Sequence, residues 1–348
     1  MALLFTSCND DQESINIDQS KVDMSDFYVY TDADIDEATR IAEGKSKACY
    51  AMVNLNRQLN EDPTLEKKMY DIEFHTRSFI ASKKPDGAGN GGGNGGGDDG
   101  SGGDDVQPID DGLGIISIPV YVHVVYSNAN ENISNTQINS QIAVLNADFR
   151  LTNNDANQLP SEFDTDITDS EIDFTLAGVF RHADSRTSWG TNNAVKSAYP
   201  PVTPSTHLNI WVCNIGGGIL GYAQFPGGNS STDGVVVGSE YFGSTGYVSA
   251  PYDEGRTATH EVGHYLNLRH IWGDGRCNRD DFVVDTPKSD APNYGCPSYP
   301  TVNCRTNDMT MNYMDYVYDQ CMYMFSDGQR NRMRAIFAPG GARESMLN

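Results

Sequence analysis

Three of the seven histidines in this 348-residue chain fall within eleven residues, in the run His260-Glu261-Val-Gly-His264-Tyr-Leu-Asn267-Leu-Arg-His270. On an α-helix, positions i and i+4 share a face, so His260 and His264 can offer their imidazoles to one ion, with Glu261 beside them to reach a water molecule. If the helix ran on at 3.6 residues per turn, His270 would sit about 120° off that face. The helix therefore has to break, and Asn267 stands where the break is needed. Chance gives the His-Glu-x-x-His pattern in a chain of this length at roughly the one-in-a-hundred level, and the third histidine lowers that to a few in ten thousand. Three neutral imidazoles suit Zn2+ and leave its fourth tetrahedral position for water, whose pKa falls to about 7. Glu261 is then the expected general base, passing the water's proton on to a leaving amine while the metal polarises the carbonyl under attack.

The hydrophobic pattern predicts the elements that position these groups. The β-branched run 115–126 reads as a strand. Ser134-Asn-Thr-Gln137 has the form of a capping box, opening a helix with Ile138, Ile142, Leu145 and Phe149 on one face. Further strands are predicted at 171–181, 207–213, Leu220–Phe225 and Gly234–Ser239, then the histidine-bearing helix from about Arg256. Beyond 273 the chain reads as loop until a short helix around Gln329–Phe337. Upstream, Leu55, Leu59, Leu65, Met69, Ile72 and Phe79 recur at helical spacing, with Pro63 marking a helix start. Between these regions, residues 86–105 hold eleven Gly, five Asp and two Asn and no bulky apolar side chain, so they are expected to be a flexible tether. The expected organisation is a remnant of an export signal at 1–8, an N-terminal segment at 9–85 that is helical over 33–85, the tether at 86–105 and one main domain at 106–348. Cys277, Cys296, Cys304 and Cys321 crowd a loop-rich stretch with no C-x-x-C pair, which favours disulfides over a zinc site and leaves three pairings open.

The zinc-binding run resembles that of the metzincin metalloproteases, and Met311-Asn-Tyr-Met314-Asp-Tyr316 resembles the Met-turn of the pappalysin (cytophagalysin) family. Ile118-Pro-Val-Tyr-Val-His-Val-Val125, Gly221-Tyr-Ala-Gln-Phe-Pro-Gly227, Asp285-Thr-Pro287 and Cys321-Met-Tyr-Met-Phe325 are similar to the same family, so the resemblance spans 110–338. It implies an α+β fold: a metzincin-type catalytic domain with a twisted, mostly parallel sheet, an antiparallel edge strand, an active-site helix and a loop-rich C-terminal subdomain, preceded by a small helical prosegment. It implies a zinc endopeptidase acting on peptide and protein substrates, made as a latent zymogen with its own prosegment as inhibitor. Met314 would form an apolar floor under the metal, and Tyr316 would assist transition-state stabilisation. Gly221, Tyr222, Ala223 and Gln224 would form the edge strand that receives substrate by β-augmentation. Members directed to arginine resemble one another in carrying Asp immediately before Cys321, where this chain has Gln320 preceded by Asp319, so the resemblance does not carry a basic preference over to this chain. The family has Gly at Asn267; Asn tolerates the left-handed backbone at a cost of roughly a kcal/mol. Cys49 resembles the prosegment cysteine whose thiolate fills the fourth zinc position, although Tyr50 replaces the glycine that follows it in the family. Asp281, Asp285 and Thr286 lie in a loop similar to the family's Ca2+ site. The disulfides implied are Cys277–Cys304 and Cys296–Cys321.

With 24 Lys+Arg against 48 Asp+Glu, the net charge of −24 argues against nucleic acid as a partner. No apolar run is long enough for a transmembrane helix. Met1–Cys8 resembles a bacterial lipoprotein box, although no Lys or Arg precedes Cys8, so the protein is expected to be exported, as a surface or outer-membrane lipoprotein anchored through Cys8 or in secreted form. Two other functions fit the sequence less fully: a His-Glu-x-x-His hydrolase outside the metzincins, with His270 incidental, and a non-catalytic surface-anchored binding protein on a protease fold.

Overall fold

The computed structural model describes residues 22–33, 48–83 and 106–347; Cys8 and the tether 86–105 lie outside the described residues. The chain forms β1 (Ala48–Cys49), α1 (Ala51–Glu61), α2 (Thr64–Lys83), β2 (Ile116–Tyr126), α3 (Asn135–Phe149), β3 (Ile172–Ala183), α4 (Ala194–Ala198), β4 (Leu208–Cys213), β5 (Ile219–Ala223) and β6 (Val235–Gly238). There follow α5 (Arg256–Tyr265), the short strands β7 (Tyr294–Gly295), β8 (Val302–Asn303), β9 (Thr306–Asn307) and β10 (Tyr316–Val317), and α6 (Asp327–Ala335).

Six strands make one sheet in the order β1-β5-β6-β4-β2-β3. The pairs β2–β3, β2–β4 and β4–β6 are parallel, and β5 runs antiparallel to β6. Parallel strands joined by crossovers need cover on both faces, which is why β4 and β6 are buried throughout. Val120, Val122, Ile210 and Val237 point into the main core with Leu145, Phe149, Ala258 and Val262 of α3 and α5. Val125, Trp211, Tyr222 and Val236 face the other side, where Val195 of α4 closes a smaller cluster. The expected fold is thus present, with one difference. The antiparallel strand β5 is not an open edge, because β1 pairs parallel to its outer side.

The N-terminal helices have no core of their own. Met52, Leu55, Leu59, Leu65 and Met69 are buried in the core of the main domain, Ile72 is half-buried, and Phe79 joins a small cluster with Ala335 of α6. Two capping details depart from expectation. Ser134 does cap α3, accepting from the Gln137 amide, but the Gln137 side chain donates to the carbonyls of Ser239, Phe242 and Tyr247 instead of closing a box. The reciprocal box sits at Ser326 and Gln329, so α6 starts two residues earlier than predicted, at Asp327.

Candidate active site

Every residue of α5 is buried, and its ends are held from outside the helix. At the N-terminus, the Asp319 carboxylate accepts from the amides of Glu254 and Arg256. Halfway along, the Thr259 hydroxyl donates to the buried Asp148, which also accepts from the Tyr313 hydroxyl. At the C-terminus, Asn267 takes the left-handed conformation (φ 75). The Asn267 amide then donates to the carbonyl of His264 and the Leu268 amide to that of Gly263, the paired bonds of a Schellman turn. This turn sends the chain back so that His270 meets the other two histidines.

A backbone or carboxylate oxygen orients each imidazole. Nδ1 of His260 donates to Tyr313 O at 2.7 Å, and Nδ1 of His264 to Leu268 O at 2.8 Å. Nδ1 of His270 lies 2.6 Å from a carboxylate oxygen of Asp274. Carbonyl oxygens only accept, so the Nε2 atoms of His260 and His264 carry lone pairs. Nε2 of His264 is 3.1 Å from Nε2 of both His260 and His270. A tetrahedral ion bound at zinc–nitrogen distances would space such atoms roughly 3.3 Å apart. Burial holds His260 down at about 3 and His264 well below its ordinary value, with the neighbouring His270 acting the same way. Imidazole nitrogens turned toward one another are a donor set for a cation, and the residues present fit zinc. Second-sphere bonds of this kind fix the tautomer and direction of a ligating histidine. Cys49 completes the set, since its Sγ and the three histidine nitrogens all lie within 4.8 Å of one another.

Under the helix, a side chain at Gly263 would collide with the Met314 sulfur, so the expected floor lies directly against α5. Trp272 stacks on His270 at 4.3 Å with the rings nearly parallel, and Tyr316 meets both His270 and Trp272 edge-on. The Tyr316 hydroxyl donates to Cys49 O at 3.1 Å. Glu261 is fully buried beside the Cys49 thiol, and burial pushes its carboxyl up to about 8, with that thiol acting the other way. Gly221 explains how it fits: an added Cβ would stand 2.9 Å from Glu261 Cγ and 2.8 Å from Val236 O.

The remaining expected residues divide. Gly221 O accepts from the Tyr50 amide and Ala223 O from Asn54 Nδ2, so the outer edge of β5 is in use. The side chains of Tyr222 and Gln224 face elsewhere, Tyr222 into the second core and Gln224 onto Asn229 and Thr232. Gln320 is exposed, with only a weak contact to Cys296, and does not line the cavity beside the Met-turn; Asp319 does, with Leu220, Tyr252, Val317 and Met322. The short turn at 319–321 reverses the two side chains, a register that spacing alone could not give. Asp281 and Thr286 do come together, hydroxyl to carboxylate at 2.8 Å. Asp285 leaves that loop and accepts from Ser326 and the Gly328 amide at the N-terminus of α6, where the helix dipole favours a carboxylate. Cys277–Cys304 and Cys296–Cys321 are bonded, whereas Cys49 and Cys213 are free. The sequence reading missed Asp274, Trp272 and the carbonyls of Tyr313 and Leu268. A carboxylate four residues beyond a ligating histidine was the one available signal.

A helix carrying two histidines and a glutamate, turned back at a left-handed residue to bring in a third histidine above a methionine, defines a metzincin-type metalloendopeptidase. Residues 203–338 match the peptidase M43 family, described as pregnancy-associated plasma protein-A. An extracellular metalloprotease of Arthroderma benhamiae is 34% identical over 228 residues, 63% of this chain and 76% of that protein. Among solved structures, mature mirolysin of Tannerella forsythia, in complex with a cleaved peptide, is 45% identical with a TM-score of 0.66, covering 67% of this chain and 95% of its own. Promirolysin of the same organism, solved as a mutant, is 37% identical with a TM-score of 0.72, covering 86% and 97%. The chain belongs to the M43, or pappalysin, family of metallopeptidases.

Proposed function

We propose that this chain is an exported zinc endopeptidase made as a latent precursor, with residues 9–85 as prosegment, 86–105 as the linker cut on activation and 106–348 as catalytic domain. The convergence of Cys49 Sγ with Nε2 of the three histidines carries this reading. His260, His264 and His270 are the proposed zinc ligands, with Cys49 as a fourth in the precursor. When bound, zinc supplies Lewis acidity to a substrate carbonyl and to water.

Glu261 is the proposed base. Its desolvated carboxylate, released from the Cys49 thiol when the prosegment leaves, would take the proton of the attacking water and return it to the leaving amine. Departure of β1 together with Tyr50 and α1 frees Gly221 O and Ala223 O, so an extended substrate can replace Ala48–Cys49 along β5. The same departure frees the Tyr316 hydroxyl from Cys49 O, making it available to the substrate carbonyl. The similarity to promirolysin supports a precursor, and the extracellular relatives support export. No helix among the described residues is long and apolar enough to cross a membrane, and Cys8 is the proposed site of a lipid anchor. For Ca2+ we retain Asp281 and Thr286 as ligands and withdraw Asp285.

The test is to incubate the protein with a mixed peptide library before and after cleavage within 86–105, with and without a zinc chelator, and map the cuts by mass spectrometry. Cutting only after cleavage, abolished by chelation, is the expected result. Chelator-resistant cutting would sink the zinc reading, and no cutting at all would favour a binding protein.

A further inference from the structure

Away from the metal cluster, a second group of side chains joins the N-terminal segment to the main domain, and nothing above uses it. Phe282 sits in left-handed backbone (φ 65) with its ring half-buried. Guanidinium groups approach that ring at 4.7 Å (Arg269), 5.2 Å (Arg77) and 5.8 Å (Arg332). Two aromatic residues of the N-terminal segment pack on the same ring, Phe27 at 5.4 Å and Tyr28 at 5.1 Å.

Tyr28 is the most completely held. Arg279 stacks on its ring at 4.1 Å and Arg269 at 4.7 Å. Its hydroxyl lies 2.7 Å from Gly273 O and 2.6 Å from Asp280 O, and it accepts from the Asp280 amide. Arg269, itself buried, donates to Tyr28 O at 2.7 Å. Nearby, Asp32 N donates to the carbonyl of Asp274, whose carboxylate supports His270. Glu73 of α2 forms a two-bond pair with Arg332 of α6, both side chains being almost fully buried. Stacked arginines with two carbonyls set for a phenol make a pocket for an aromatic side chain. Residues 22–33 supply Phe27 and Tyr28 to it, while their Asp26 pairs with Arg77 of the same N-terminal segment.

We propose that Arg269, Arg279, Phe282 and Arg332 form a second recognition site of the main domain, one that takes a tyrosine-bearing segment and that residues 22–33 fill in the precursor. Latency then rests on two anchors, Cys49 at the metal and Tyr28 in this pocket. This extends the zymogen reading and depends on it for its effect on activity.

The experiment uses the full chain carrying Cys49→Ala, alone and combined with Tyr28→Ala, Tyr28→Phe or Arg279→Ala. Hydrolysis of a quenched peptide and amide exchange of residues 28–32 are read together. Cys49→Ala alone is expected to keep most of its latency. Tyr28→Ala or Arg279→Ala should raise residual activity at least tenfold and speed exchange, with Tyr28→Phe between because it keeps the ring and loses the hydroxyl. A gain of activity cannot come from misfolding. If Tyr28→Ala and Arg279→Ala move neither readout, the second site is overturned. Full activity of the uncut wild-type chain overturns the latency reading instead, and exchange that Tyr28→Ala accelerates still supports the pocket.

Discussion

Asn267 sets a small cost against an essential turn. Its φ of 75 is easy for glycine and strained for other residues, and its Nδ2 is buried without a partner. Asn267→Gly should therefore stabilise the protein by roughly 1 kcal/mol and leave zinc content unchanged, whereas Asn267→Ala should lose a similar amount. Thermal unfolding of the two variants beside metal analysis checks both signs. Glu261 separates binding from chemistry, because it stands next to the proposed ligands without being one of them. Glu261→Gln keeps the shape and should retain zinc while cutting turnover of the processed enzyme by about 10²–10⁴-fold, the usual worth of a positioned base. If the variant loses its metal, the assignment of roles is wrong. Gly221→Ala probes the same group from the strand side, since its Cβ would press on Glu261 Cγ at 2.9 Å. Turnover should fall with zinc intact.

Among the elements, α2 owes its place to charge as well as to apolar packing. Burial works against ionising Glu73, but Arg332 and Arg77 more than offset it and hold its carboxyl down to about 2. An unfolded glutamate titrates near 4.3, so this pair contributes fully above about pH 4 and is lost as pH falls through about 2. After a cut in 86–105, acidification to pH 5 should leave the N-terminal segment attached, and release should begin only below about pH 4, as gel filtration across that range would report. Glu73→Gln strands Arg332 as a buried charge and should release the segment at neutral pH, since breaking such a pair costs about 3–5 kcal/mol. None of this was readable beforehand. Long periodic elements such as β2 and α3 declare themselves in sequence, because one face of each is apolar at a fixed spacing. So did the cluster of three histidines, whose spacing is local. The two-residue strand β1, the seat of Tyr28 and the exchange of Gln320 for Asp319 in the cavity wall depend on partners distant in the chain or on one tight turn. Spacing holds no record of these.

At the scale of the whole molecule, the two halves of the active site are built differently. The half that carries His260, His264 and Glu261 stands on the sheet and α5, inside the main core. The other half, which carries Tyr316 and Asp319, belongs to a region with only two-residue strands between 273 and 326. Two disulfides, spanning 27 and 25 residues, close that region. On the chain-entropy account, a crosslink over a loop of this length is worth roughly 3–4 kcal/mol. Its loss should be felt first where packing is thinnest. In the processed enzyme, Cys296→Ala with Cys321→Ala should loosen the wall next to Asp319 while the three histidines remain fixed by Tyr313, Leu268 and Asp274. The expected result is a lower melting temperature and a raised KM for peptides, with zinc still bound at one equivalent per chain. Loss of zinc in step with activity would mean that the loop region helps hold the metal, and that the division into a rigid metal half and a stapled substrate half is mistaken.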